Sequence, residues 1–77
     1  TALEYLNEAK DIREKIGLTE TVNYASLLFS MADIYSTNGE TDAAGKLYRQ
    51  AYEILKSIGY TGSRLDTYKN KAEELGY

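Results

Sequence analysis

The sequence predicts an all-α fold, in which four helices form antiparallel hairpins. Three observations lead to this prediction. Proline is absent, most of the six glycines stand where an apolar pattern stops, and apolar residues recur at helical spacing between those points. The connections between the helical patterns are short, and short connections make consecutive helices run antiparallel.

The first predicted helix covers the beginning of the chain. Its apolar residues recur at helical spacing and are Ala2, Leu6, Ala9, Ile12 and Ile16. Gly17 follows the last of them, at the position where a left-handed residue commonly ends a helix.

The second predicted helix begins after a threonine and is apolar on more than one face. Either Thr19 or Thr21 can cap it, because a threonine hydroxyl accepts a hydrogen bond from an unpaired amide of the first turn. Asn38 and Gly39 end it. Its apolar residues are Tyr24, Ala25, Leu27, Leu28, Met31, Ala32, Ile34 and Tyr35. A helix with two apolar faces is expected to be packed on two sides.

The third predicted helix begins at Thr41 and ends at Gly59. Its apolar residues are Ala44, Leu47, Tyr48, Ala51, Tyr52, Ile54, Leu55 and Ile58. Gly45 lies inside this helix, where glycine costs about 1 kcal/mol relative to alanine if it is exposed. A close crossing with another helix would explain its presence.

The fourth predicted helix begins at Ser63, with Asp66 three residues later as a weak form of the capping box. Gly76 closes it. The helix carries Leu65, Tyr68, Ala72 and Leu75 at helical spacing.

The chain contains an internal repeat. A shift of 42 residues aligns the first helix with the third: Ala2, Ala9, Ile12, Ile16 and Gly17 fall on Ala44, Ala51, Ile54, Ile58 and Gly59. A shift of 40 residues aligns the second helix with the fourth: Ala25, Leu28, Ala32 and Tyr35 fall on Leu65, Tyr68, Ala72 and Leu75. Repeats of this period predict a solenoid, in which each unit buries its apolar face against its neighbours.

Over one full repeat, the spacing resembles the tetratricopeptide repeat signature. The matching residues are Leu28, Met31, Ala32, Tyr35, Gly39, Ala44, Tyr48 and Ala51. The 42-residue period is similar to the longer variety found in kinesin light chains, whereas the usual repeat has 34 residues. Two positions depart from the pattern, since Leu28 stands where the family often has Trp and Lys56 where many repeats have Pro. The resemblance implies a right-handed α-solenoid of helix hairpins.

The repeat divides the chain into three segments. We expect residues 1–17 to be helix B of a truncated repeat, residues 18–59 to be a complete repeat, and residues 60–77 to be a C-terminal capping helix. At the shift of 40, Leu27, Met31 and Ile34 become Thr67, Lys71 and Glu74, so the second face has turned polar, as the last helix of an array requires. The alternative is that the fourth helix begins another, divergent repeat.

The resemblance also implies a peptide-binding groove on the concave side of the A helices, which are helices two and four. The expected binding residues are Ser26, Phe29, Asp33, Ser36, Thr37, Asp66, Lys69 and Glu73. Phe29, the only phenylalanine, lies off both apolar stripes, so it either anchors a ligand or packs against the neighbouring A helix. Asp33 and Lys69 either recognise charges on a peptide or belong to a solvated face.

Composition argues against the other common functions. With neither Cys nor His, the chain lacks thiol nucleophiles, imidazole bases and zinc-finger ligands, and we predict no enzyme activity, metal or cofactor. The carboxylate pairs Glu4 with Glu8 and Glu73 with Glu74 lie on polar faces, where they would not form an acid–base pair.

The net charge of −3 disfavours nucleic acid and anionic membranes as partners. The tyrosines on helical stripes are expected to pack between helices rather than stack on bases; they are Tyr24, Tyr35, Tyr48, Tyr52 and Tyr68.

The sequence therefore predicts a non-catalytic module that binds a peptide or a partner protein. The alternative is a structural scaffold that ends a larger repeat array and has no ligand of its own. Because the first helix lacks the partner helix that the repeat implies, a homodimer through it is a further expectation. The missing cysteines fit a reducing compartment, and the predicted location is the cytoplasm.

Overall fold

The computed structural model describes residues 2–17 and 21–77, and in these ranges the regular structure is entirely α-helical. The helices are α1 (Ala2–Lys15), α2 (Val22–Thr37), α3 (Thr41–Ser57) and α4 (Arg64–Glu74). They form a flat body of 32 × 32 × 15 Å. The predicted all-α class is confirmed.

Each helix packs against the next one along the chain. The contact between α2 and α3 is the most extensive, that between α3 and α4 is next, and that between α1 and α2 is the smallest of the three. Leu28 and Leu55 are the largest completely buried side chains. Alanines without exposed surface let the helices approach closely; they are Ala25, Ala32, Ala44, Ala51 and Ala72.

A glycine with positive φ follows every helix, as the sequence predicts. The φ values are +78°, +83°, +76° and +85° at Gly17, Gly39, Gly59 and Gly76. After α2, the amide of Glu40 donates to the carbonyl of Tyr35 at 2.9 Å and closes the helix end. This closure needs a left-handed residue in between, which glycine provides without a steric penalty.

The two predicted N-terminal caps have different outcomes. Thr21 caps α2, because its backbone is extended and its hydroxyl accepts a hydrogen bond from the Tyr24 amide at 3.1 Å. The alternative cap, Thr19, lies outside the described residues. The predicted capping box of Ser63 and Asp66 is wrong, since the Ser63 side chain makes no capping hydrogen bond. Its backbone already has helical angles, whereas a capping residue is typically extended.

Helix α1 has one packed side and one exposed side. Leu3 and Leu6 pack against the main core, whereas Tyr5, Ile12 and Ile16 are 72%, 60% and 63% exposed. The apolar pattern of the sequence thus correctly indicated a helix, but two of its residues face solvent.

Helix α4 is also two-sided. Tyr68 and Ala72 are buried, whereas the residues aligned with the second apolar face of α2 are exposed; these are Thr67, Lys71 and Glu74. Their exposure agrees with the polar outer face that the sequence predicts for this helix.

Gly45 is explained by a side chain rather than by a helix crossing. The ring of Tyr77 lies directly over Gly45, and a methyl group there would overlap the ring. The Tyr77 hydroxyl donates to Asp42 Oδ1 at 3.1 Å, so Tyr77, three residues after the end of α4, is held against the first turns of α3.

The tyrosines on the helical stripes pack as predicted. Tyr24, Tyr48 and Tyr68 are buried, and Tyr35 and Tyr52 are partly buried against the core. Their role between helices is therefore confirmed.

Candidate functional site

The expected binding residues lie on α2 and α4, which contact each other through aromatic and polar side chains. Ser26 Oγ is 3.3 Å from the Tyr68 hydroxyl and accepts a hydrogen bond from Arg64 Nη1 at 3.2 Å. Ser26 is thus engaged within the protein, where it links α2 and α4.

Phe29 packs between two tyrosines. Its ring centroid is 4.2 Å from that of Tyr68 with the planes nearly parallel at 12°, and 5.0 Å from that of Tyr48 at 56°. Aromatic pairs at these distances stabilise a fold beyond the area they bury. These contacts favour the packing alternative for Phe29, although its side chain is only partly buried.

Asp33 is exposed, and its carboxylate accepts a hydrogen bond from the buried Tyr48 hydroxyl. Burial raises the pKa of Tyr48 well above its usual value, and the bond to Asp33 raises this pKa further. A bond between Tyr48 and the partly buried Ser36 acts in the opposite direction. Asp33 and Ser36 therefore both contact Tyr48 of α3. The Asp33 carboxylate is accessible at the surface, and the hydrogen bond from Tyr48 fixes its orientation.

Thr37 lies near the end of α2 beside a shallow depression. Its hydroxyl donates to the Asp33 carbonyl at 2.9 Å. The depression has a volume of about 200 Å³, is open to solvent and is lined by Asp33, Ile34, Thr37 and Asn38.

The three expected residues of α4 form an exposed charged row. Asp66, Lys69 and Glu73 are all exposed, at spacings of three and four residues that put them on one face of the helix. Within the described part of the chain, their side chains make no hydrogen bond or ion pair. Of the predicted site, these are the residues most available to a partner.

Two tertiary contacts were not foreseen from the sequence. One is the packing of Tyr77 over Gly45. The other joins α1 to α2: the Tyr24 hydroxyl donates to Glu14 at 2.9 Å, and Lys10 pairs with the same carboxylate at 2.9 Å. The two bonds lower the pKa of Glu14, and burial together with the bond to Glu14 raises the pKa of Tyr24 to about 12. Gly45 inside a helix signals a close approach, but no local signal identifies Tyr77 as the group that approaches it or marks the contact with Glu14.

Other kinds of site find little support in the described ranges. Among those residues, no group of three or more acidic side chains is placed to hold a metal ion. None of the described helices combines the length and apolar character that crossing a bilayer requires.

The fold defines a class of protein, the helical-repeat proteins built from antiparallel helix pairs. The family model described as "Tetratricopeptide repeat" matches residues 1–57. The chain therefore belongs to the tetratricopeptide repeat family, whose members generally mediate protein–protein interactions. No curated protein and no solved structure shows significant similarity to it.

Proposed function

We propose that the chain is a non-catalytic module that binds a peptide segment of a partner protein along α2 and α4. The observation that carries the proposal is the charged row of Asp66, Lys69 and Glu73, which is exposed and has no side-chain partner among the described residues. The stack of Phe29 on Tyr68 holds this row beside α2, so the surface is already organised before a ligand arrives.

The charge of the expected site favours a basic ligand. Asp33, Asp66 and Glu73 are acidic, Lys69 alone is basic, and the whole chain carries a net charge of −3. Complementary charge raises association rates and orients a ligand more than it raises affinity. With so small a surface, we expect dissociation constants in the micromolar range or weaker.

The test compares two variants with the same net charge. Asp66→Asn with Glu73→Gln neutralises the charged row, whereas Glu53→Gln with Glu74→Gln neutralises two exposed carboxylates elsewhere. The probe is a fluorescein-labelled peptide of alternating Lys and Ala, followed by fluorescence anisotropy at fixed salt. We expect the first variant to raise the dissociation constant about fivefold or more and the second to change it less than about twofold.

Equal losses in the two variants would show that only net charge matters and would contradict a site on the charged row. The site would also be contradicted if the wild-type chain bound an alternating Glu and Ala peptide with the same affinity as the basic peptide.

A second candidate function is structural. The exposed apolar side of α1 favours a scaffold or self-association role, in which this helix packs against another helix and the chain has no ligand of its own. Polar substitution of α1 would then abolish assembly, whereas the charged row of α4 would be dispensable.

Three further parts of the proposal rest on the sequence pattern. The 42-residue shift supports the longer variety of the repeat, similar to that of kinesin light chains. The exposed Thr67, Lys71 and Glu74 support a capping role for residues 60–77, after a complete repeat at 18–59 and a B helix at 1–17. A cytoplasmic location remains a prediction.

A further inference from the structure

An exposed apolar stripe is formed by Tyr5 and Ile12 of α1 and by Ile16, which directly follows α1 and donates from its amide to the Ile12 carbonyl. These are three of the five large apolar side chains that are exposed in the described part of the chain. Their spacings of seven and four residues put them on one face of the helix, away from Leu3 and Leu6, which pack against the core. The stripe runs along most of α1.

The internal repeat shows what kind of element covers such a stripe. At the shift of 42, Tyr5, Ile12 and Ile16 correspond to Leu47 and Ile54 of α3 and to Ile58, which directly follows α3. Ile54 is only 9% exposed, against 60% for Ile12, and belongs to the core cluster that includes Leu28 of α2. Leu47 is also packed against the core, whereas Ile58 is 38% exposed, so packing covers the first two of these three positions. The α1 stripe therefore has the form of a helix-binding surface.

In a second copy of the chain, the complementary surface is the same stripe. The outer side of α4, at the other end of the array, carries Thr67, Lys71 and Glu74, which would place polar groups against Tyr5, Ile12 and Ile16. Stacking α1 on α4 of another copy would therefore bury charges without partners. Pairing α1 with α1 buries apolar groups from both copies around a twofold axis.

The charges beside the stripe determine the direction of the pair. Glu8 in the N-terminal half and Lys15 in the C-terminal half border the same edge of the stripe, and both are exposed. An antiparallel pair brings Glu8 of one copy towards Lys15 of the other, twice per dimer. In a parallel twofold pair, this edge of the two copies would instead lie on opposite sides of the contact, and Glu8 would not approach Lys15.

We propose that two copies of the chain associate through their α1 stripes as an antiparallel, twofold-symmetric helix pair. The inference rests on the second function proposed above, self-association through α1, and assigns its partner surface and direction. Tyr5 of each copy then faces Ile16 of the other, and the Ile12 side chains lie near the axis.

Sedimentation equilibrium of the intact chain tests the association itself. We expect a dimer to form below about 1 mM. Ile12→Gln should weaken it about tenfold or more, whereas Ile58→Gln, at an exposed isoleucine directly after α3, should change it less than about threefold. Far-UV circular dichroism verifies that both variants fold. A chain that stays monomeric to about 1 mM would overturn self-association and this inference together.

Charge reversal tests the direction separately. In an antiparallel pair, Glu8→Lys or Lys15→Glu alone should weaken the dimer about three- to tenfold, and the double variant should restore it. In a parallel pair, the double variant would not restore what either single change alters, because Glu8 and Lys15 of the two copies then lie on opposite sides of the contact. If the wild-type chain forms a dimer and the charge reversals at Glu8 and Lys15 do not change its dissociation constant, the antiparallel geometry is overturned, whereas self-association is still supported.

Discussion

Three tyrosines of this protein place their hydroxyl groups against carboxylates near the surface. Tyr24 donates to Glu14, Tyr48 to Asp33, and Tyr77 to Asp42. In each case the ring packs against the fold while the hydroxyl donates to a carboxylate oxygen. Such an arrangement satisfies the phenol without burying a charge.

The raised pKa values of these tyrosines predict a loss of stability at alkaline pH. An ordinary tyrosine ionises near pH 10, whereas in the fold the pKa of Tyr24 is about 12 and burial raises that of Tyr48 well above 10. Since the folded state holds these protons more tightly, their contribution to the free energy of unfolding is complete below pH 10. It is lost as the pH rises from there through the folded pKa values.

Tyr48→Phe should therefore flatten the alkaline fall in stability. We expect it to lower the free energy of unfolding by about 1 kcal/mol at neutral pH, because one hydrogen bond to a carboxylate is lost. Urea unfolding at about pH 9 and about pH 11 measures the slope. The control is Tyr52→Phe. Tyr52 contacts Arg49 through its ring, at 5.1 Å, and phenylalanine keeps this ring. A slope unchanged by Tyr48→Phe would contradict the assignment.

Gly45 and Tyr77 predict a coupled pair of substitutions. Gly45→Ala gains about 1 kcal/mol of helix propensity, but the added methyl group overlaps the Tyr77 ring and must displace it. We expect the gain to be cancelled or reversed in the wild-type background. In a Tyr77→Ala background, the same substitution should stabilise the chain by about 1 kcal/mol. Urea unfolding of the four proteins in this double-mutant cycle gives the coupling energy.

Identical effects of Gly45→Ala in the two backgrounds would mean that the Tyr77 ring does not occupy this position in solution.

At the scale of the helices, the N-termini of α2 and α4 differ in how they are capped. Thr21 makes a side-chain bond to the Tyr24 amide, and Ser63 makes none. Thr21→Ala should therefore cost about 1 kcal/mol of unfolding free energy, and Ser63→Ala less than about 0.5 kcal/mol. Thermal or urea unfolding of the two variants provides the comparison, and equal losses would contradict the difference in capping.

Helix α1 differs from the other three in how it is attached. Its contact with α2 is the smallest between consecutive helices, and the hydrogen bond from Tyr24 to Glu14 supplements it. Because Glu14 has a lowered pKa, this link is weakened when the pH falls far enough to protonate the carboxylate.

At the scale of the whole molecule, the sequence predicts the helices well because their signals are local. The glycines that follow each helix act within one turn, and the apolar spacing of α2 and α3 directly reflects their buried faces. The Ser63 cap failed for a related reason. The spacing of Ser63 and Asp66 suits a cap, but only the backbone angles decide whether the hydroxyl reaches an amide.

The candidate site was less predictable because tertiary contacts decide it. The spacing puts Phe29 off the apolar stripes of α2, yet the ring of Tyr68, which belongs to α4, stacks on it. The same holds for Tyr77, whose contact with Gly45 joins positions far apart in the sequence. The charged row of Asp66, Lys69 and Glu73 was accessible to prediction because its exposure follows from the polar side of one helix.

The two outer helices give the molecule unlike ends: α1 carries an apolar stripe, and the outward side of α4 is polar. Fibre growth by stacking requires each subunit to offer two surfaces that fit one another, so that an end remains open after every addition. In the proposed dimer, joining two apolar ends uses both of them and leaves the polar sides of the two α4 helices outside. Concentrated solutions should thus reach a limiting particle size instead of polymerising.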